Sequence, residues 1–289
     1  MVMVMVVLGG ACGSDDGTAA APKGKLDVVT TTTQLTDFAR VVGGRYVTVH
    51  GLLRANVDPH DFEASAVDLV HLANADVTFE NGVGLEAWFQ ATIGNAEPKG
   101  VIVDASRGVK LRAGDPHIWQ SPLNAKTMVA DIANALVRTD AKHAAAYRAN
   151  ERRYQQQLDE LDVEVAQAWS SVSSRKIVTN HDAFGYYVDR YDLDFVGSVI
   201  PSVDTQAELS AQDVDRLVAN IRSLGVKAVF SESSVPGKTA ETIAREAHVK
   251  VVAGDNALYG DTLGPPGSDA DTYLKMIRHN TRVFVDALR

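Results

Sequence analysis

The chain has 289 residues, 45% of them hydrophobic and 22% charged, and a formal net charge of −9. That much apolar material excludes a chain held open by its charges, and the acidic balance excludes a nucleic-acid binder, which carries a basic footprint. Excess carboxylate makes metal cations more natural partners than phosphates. No internal apolar run reaches the roughly 20 residues that span a bilayer.

The first 24 residues stand apart. Residues 1–8 are apolar, Gly9-Gly10-Ala11-Cys12 follows, and then a polar run. Small residues before a cysteine, after an apolar stretch, are similar to a bacterial lipoprotein cleavage site. Two features depart from that pattern: Leu8 lies four residues before the cysteine instead of three, and no Lys or Arg precedes the apolar stretch. A start upstream of Met1 would supply the missing charge. The expectation is therefore a leader and linker over residues 1–24, lipidation at Cys12, and a mature chain on the outer face of the cell membrane, touching the membrane only through that anchor. A free thiol at an unstructured terminus is the alternative. Cys12 is the only cysteine, so an intrachain disulfide and a cysteine-rich zinc site are both excluded.

From residue 25 onward, short β-branched runs alternate with helical patterns. Strands are expected at 26–33, 46–53, 76–80 and 101–104, and helices at 35–42, 66–75 and 85–93, the alternation of a mostly parallel α/β lobe. The pattern then changes. Residues 124–137 read as one helix, and residues 141–171, rich in Ala, Gln, Glu, Arg and Leu, as an unusually long second one. Alternation then resumes, with strands at 176–179, 195–199, 228–231 and 249–252 and helices at 183–191, 211–224, 238–247 and 271–288. The fold class expected is α/β: two lobes of about four β/α units each, with mostly parallel sheets, joined by one long helix. The corresponding division is 25–140, 141–173 and 174–289. Such lobes bind ligands in the cleft at the carboxyl ends of their strands.

Two loops repeat a tripeptide. Asp58-Pro59-His60 follows the second strand, and Asp115-Pro116-His117 follows the fourth; an aromatic, Phe62 or Trp119, comes two residues after each histidine. Proline fixes its own φ and removes a donor, so each imidazole is presented from a stiffened loop, as a preorganised metal site requires. Two surface turns with incidental histidines would give the same text. The second lobe offers matching candidates. His181 follows a strand end, with Asn180 between, and Asp261 follows the last strand. The set His60, His117, His181 and Asp261 is three imidazoles and one carboxylate, two from each half, which zinc accepts at about 2.0–2.2 Å. Glu232 ends another strand and could orient a ligand imidazole, as could Asn180 beside His181; Glu232 could equally cap the next helix. His50, His71, His143, His248 and His279 lie in ordinary positions and are not expected to be ligands.

The segments 57–65, 79–86, 115–119 and 181–186 and the late Asp271-Thr272-Tyr273-Leu274 resemble the metal-binding lipoproteins of ABC-type zinc and manganese uptake systems. The resemblance runs in order from about residue 26 to the C-terminus. It implies two α/β lobes joined by a long helix and a metal held between them. The family's four ligand positions fall here on His60, His117, His181 and Asp261. It further implies a monomeric extracytoplasmic solute-binding protein, not an enzyme, that works with an ABC permease and its ATPase and has no nucleic-acid partner.

Two departures bear on the metal. Residues 94–114 contain no histidine, whereas zinc-uptake members often carry a histidine-rich loop there. Position 181 is histidine, where manganese-binding members often have glutamate. Three nitrogens and one carboxylate suit zinc better than manganese, with iron behind both. The long helix permits only small lobe movements, so release is expected from local motion of the Asp261 loop. Two other functions compete: a zinc hydrolase with Glu232 as its base, weakened because four protein ligands close the shell and no HExxH is present, and an adhesin with a structural metal.

Overall fold

The computed structural model describes residues 24–289; the leader and the lipidation expected at Cys12 lie outside the described residues. The first lobe runs β1 (Leu26–Thr30), α1 (Thr33–Gly43), β2 (Val47–Gly51), α2 (Ala66–Asn74), β3 (Val77–Glu80), α3 (Phe89–Ala96) and β4 (Val101–Asp104). Its strands form one parallel sheet in the order β2-β1-β3-β4. The threonine run was expected to stay extended to residue 33, yet β1 stops at Thr30. The reason is local. The Thr32 hydroxyl accepts the Leu35 N–H at 3.2 Å and caps α1, so the last threonines turn the chain. Likewise α3 starts at Phe89 instead of residue 85. The carboxylate of Glu86 accepts the N–H groups of Asn81 and Gly82, which holds residues 81–86 as a loop.

Two helices follow: α4 (Pro122–Thr139), with proline in its first turn, and α5 (Ala144–Ser170), 27 residues long. The long helix expected over 141–171 is α5 preceded by one 3-10 turn at Ala141–His143. It is no bare strut: it packs along α4, α1 and α9 (Tyr273–Leu288), burying Leu158, Leu161, Val165 and Trp169.

The second lobe runs β5 (Lys176–Thr179), α6 (Gly185–Tyr191), β6 (Asp194–Ser198), α7 (Ala211–Leu224), β7 (Ala228–Phe230), α8 (Lys238–Ala247), β8 (Lys250–Val252) and then α9. Among the described residues its strands pair as two parallel ladders, β5-β6 and β7-β8, with β5 lying beside β7. One extra residue in β6 shifts the β5-β6 register between Ile177 and Val178.

One apolar core runs through both lobes. It passes from Val28 and Phe38, through Trp119, Met128 and Ile132 and the inner face of α5, to Phe184, Tyr187 and Phe284. Where polar atoms enter it they are paired: the Trp169 indole donates to the Tyr187 hydroxyl at 2.8 Å, which also bonds Thr281. Full burial of each large side chain contributes about 1.5–3 kcal/mol. A continuous core of this size joins the lobes firmly and leaves little room for a wide hinge.

Candidate metal centre

The two Asp-Pro-His segments fold as the same device. Asp58 Oδ1 accepts the N–H of His60 at 2.9 Å, and Asp115 Oδ1 accepts the N–H of His117 at 3.0 Å. The aspartate thus closes a turn over a proline that has no N–H of its own. Asp115 does more: its Oδ1 lies 2.9 Å from His117 Nδ1, which puts the ring proton on Nδ1 and turns the Nε2 lone pair inward. The first loop is held from below, where Trp88 donates to Pro59 O at 2.8 Å and stacks edge-on with Phe62. It is held from across the cleft as well, because the Thr205 hydroxyl donates to Asp58 Oδ2 at 2.6 Å.

In the second lobe His181 follows the end of β5, with Asn180 between. Glu232, two residues beyond the end of β7, takes the His181 N–H on Oε1 at 2.9 Å and lies 3.0 Å from Nδ1 through Oε2. Glu232 is thus placed to orient the ring: Oε1 holds the backbone of His181, and Oε2 stands within ion-pair distance of Nδ1, though not aligned as a hydrogen bond. Such a carboxylate is not a free base, which removes the feature that favoured a hydrolase. Asn180 is placed otherwise: its amide nitrogen lies 3.5 Å from Val235 O, at the outer limit of a hydrogen bond.

The chain brings the four predicted donors together. One ligand atom from each of His60, His117, His181 and Asp261 lies within 4.8 Å of all the others. His117 Nε2 is 3.4 Å from both His60 Nε2 and His181 Nε2, and Asp261 Oδ1 is 3.3 Å from the Nε2 atoms of His117 and His181. Donors bonded tetrahedrally to one ion at about 2.0–2.2 Å stand about 3.3–3.6 Å apart, since the edge of a tetrahedron is about 1.63 times its centre-to-corner length. Four of the six separations match those edges, and the two from His60 to His181 and Asp261 lie within 4.8 Å. Asp261 Oδ1 is buried and has no aligned hydrogen-bond donor, an arrangement that costs free energy unless a cation or proton sits there. Three of the four residues are fully buried, and His60 forms the half-exposed rim.

The charges are coupled. Burial opposes charging the ring of His181, yet the Asp261 and Glu232 carboxylates hold its pKa well above the usual imidazole range. His117 is raised too, its burial outweighed by Asp115 and Asp261. His60, buried and with a weaker carboxylate neighbourhood, is lowered. Despite burial, the facing imidazoles keep Asp261 well below the ordinary carboxylate range.

Gln34, at the start of α1, donates to Asp261 O, while Trp119 and Gln120 both donate to Gly260 O. Trp119 is marked in the sequence as the aromatic of the second repeat; Gln34 and Gln120 give no signal beyond position, just past a strand end or just past His117. The remaining histidines stay away from the centre. His50 and His71 stack on each other with ring centres 3.8 Å apart. His279, read as an ordinary helix position, is buried between Asp269 Oδ2 and Ala257 O.

Glu86 reaches the site through Asn81, whose N–H it accepts at 2.7 Å and whose amide donates to Pro116 O at 2.9 Å, beside His117. Burial pushes its pKa up to about 7, against hydrogen bonds from the Thr31 hydroxyl and the Asn81 N–H. An acid whose folded pKa is raised contributes stability below about pH 4.5 that is lost as pH rises through 7. The span corresponds to about 3 kcal/mol. Urea midpoints for Glu86→Gln are therefore expected to vary less between pH 5 and pH 8 than those of the parent protein; parallel profiles would refute this.

Two α/β lobes on a shared core, with three imidazoles and a carboxylate converging at their seam, define a metal-ion-binding protein. The comparisons agree. A family model, zinc-uptake complex component A periplasmic (ZnuA), matches residues 28–287. The manganese-binding lipoprotein MntA of Bacillus subtilis (strain 168) is 32% identical over 301 residues, 96% of this chain and 94% of that one. The zinc-binding protein TroA of Treponema pallidum (strain Nichols) is 32% identical over 290 residues, 96% and 92% of the two chains. The solved structure of the periplasmic zinc binding protein TroA from Treponema pallidum superposes with a TM-score of 0.85 at 30% identity, covering 92% of this chain and 99% of that one.

The chain belongs to this family of substrate-binding components of ABC-type metal uptake systems. It is a binding protein, not an enzyme, and such components work with a permease and an ATPase. Among the described residues no helix is long and apolar enough to cross a membrane.

Proposed function

We propose that His60, His117, His181 and Asp261 together hold one Zn2+ as cargo, and that the chain delivers it from the outer face of the cell membrane to a permease. In this reading residues 25–140 and 174–289 are the two halves of the capture site, 141–173 the connection between them, and the protein is a monomer tethered through Cys12. The convergence of the four donors, four of whose six separations are 3.3–3.4 Å, carries the proposal. A shell filled by four protein ligands binds without leaving a position for catalytic water.

Zinc is favoured over manganese by the donor set, because imidazole nitrogens suit zinc while manganese prefers oxygen-rich shells. Relatives named for each metal exist at equal identity, so the choice rests on the donors of this chain. Zinc outbinds manganese at almost any nitrogen and oxygen site, so loading in the cell is the decisive measurement. Elemental analysis of protein isolated from its native host is expected to give about one zinc per chain; stoichiometric manganese would overturn the zinc assignment and leave the donor set standing. Because bound imidazoles must be neutral, zinc uptake should also release protons, and affinity should fall on acidification.

A further inference from the structure

The segment carrying Asp261 passes from one lobe to the other at a single peptide. As far as Tyr259 it belongs to the second lobe. Leu258 N donates to Ser231 O at 2.8 Å and Ser233 N to Leu258 O at 2.9 Å, and Asn280 brackets Tyr259, accepting from its N–H at 2.9 Å and donating to its carbonyl at 2.8 Å.

From Gly260 onward the first lobe takes over. Trp119 Nε1 and Gln120 Nε2 donate to Gly260 O at 3.0 and 2.6 Å, and Gln34 Nε2 donates to Asp261 O at 2.9 Å. Asn56 N donates to Thr262 Oγ1 at 3.0 Å, Leu263 N to Thr33 Oγ1 at 2.8 Å, and Tyr273 N to Asp37 Oδ2 at 3.0 Å. The three side-chain donors are fully buried, where a hydrogen bond is strong and an unmade one is costly. Apart from His181, the second lobe reaches the Asp261 carboxylate through the Ser234 hydroxyl at 3.3 Å, beyond the usual hydroxyl range of about 2.5–3.0 Å. His279 holds Ala257 and Asp269, on either side of the captured stretch and not within it.

Resting on the donor assignment above, we infer that Gln34, Trp119 and Gln120 are positioning residues that fasten Asp261 to the first lobe, so that His60, His117 and Asp261 form a preassembled three-donor half-site and His181 is the donor that withdraws when the site opens. Chain order assigns two ligands to each lobe; the hydrogen bonds divide them three to one. This differs from release by independent motion of the Asp261 loop, which would have to break three buried donor contacts to two successive carbonyls. Moving His181 with Glu232 breaks none of them. The hand-over falls at Gly260, where a Cβ would come within 2.0 Å of Glu232 Oε2. The junction thus has no room for a side chain beside Glu232.

The first test uses the unaltered protein. Amide hydrogen exchange with and without bound zinc should leave the Leu263 and Asn56 amides protected to within about twofold, since both bonds bridge the loop to the first lobe. A tenfold or greater loss of protection on zinc removal would show that the loop leaves with the second lobe and would overturn the inference. The second test follows Co2+ by its visible absorption and its release into a chelator. Gln34→Ala and Gln120→Ala should each release Co2+ at least about tenfold faster, with altered ligand-field bands, while the metal-free protein still unfolds cooperatively, at a temperature lowered only by the loss of one buried hydrogen bond. Parent-like release and spectra in both variants would overturn it. His117→Ala serves as the control: if that variant binds Co2+ like the parent, the donor assignment itself fails, whatever the two glutamines do.

Discussion

Replacing His181 by alanine is expected to lower zinc affinity by two to three orders of magnitude and to leave the metal-free fold standing. The ring is fully buried, with Nε2 within 3.4 Å of two other donors. Apparent binding free energies of about 10–16 kcal/mol for four-ligand structural zinc sites average to about 2.5–4 kcal/mol per ligand, and about 1.4 kcal/mol is tenfold. The fold is spared because the ring lies beyond the end of β5, and because Glu232 Oε1 keeps its bond to the backbone N–H of residue 181. The cost is local: Glu232 Oε2 loses the imidazole and stays buried, a penalty of about 1–3 kcal/mol in stability. Competition titration against a chelator of known affinity measures the first effect and urea unfolding the second. Parent-like zinc affinity would remove His181 from the site.

The legible and illegible parts of this protein divide by range. Asp-Pro-His writes a turn, a stiffened backbone and a presented imidazole in three adjacent residues, so His60 and His117 could be read from the text alone. His181, Glu232 and Asp261 could be read because parallel α/β folds gather their strand ends at one edge, so strand-end position stood in for three-dimensional position. The clamp on the Asp261 loop follows no such rule. Gln34 reaches a carbonyl 227 residues away and Gln120 one 140 residues away, and an amide side chain that serves a distant carbonyl leaves no periodicity behind. His279 fails for a related reason: helical spacing says which residues share a face of α9, but not that a loop covers that face.

Fold errors were of the same kind. β-branched threonines read as strand through residue 33 because propensity does not register a hydroxyl that caps the next helix. The start of α3 was placed four residues early because Glu86, a good helix former, is diverted to the N–H groups of Asn81 and Gly82. In the second lobe, alternation predicted strands and helices in the right order. Whether β5 and β7 exchange hydrogen bonds or only lie side by side depends on twist and register, which four-residue segments do not encode.

Glu232 gives the second large effect, and here the isosteric replacement is the informative one. The carboxylate faces two donors at once, the His181 N–H on Oε1 and Nδ1 on Oε2. Glutamine has only one oxygen to offer. With that oxygen toward the backbone N–H, its NH2 faces Nδ1, makes that nitrogen the acceptor and drives the ring proton to Nε2, the atom the metal needs bare. With the amide reversed, its NH2 meets the backbone N–H, donor against donor in a buried site. Glu232→Gln is therefore expected to lose about 10–100-fold in zinc affinity, as much as Glu232→Ala, although it conserves shape. Chelator competition gives the affinities, and nitrogen chemical shifts of the His181 ring in the metal-free variant should report the proton on Nε2. If the glutamine variant bound zinc as tightly as the parent while alanine did not, Glu232 would act by filling space beside Gly260 and not by choosing the tautomer of His181.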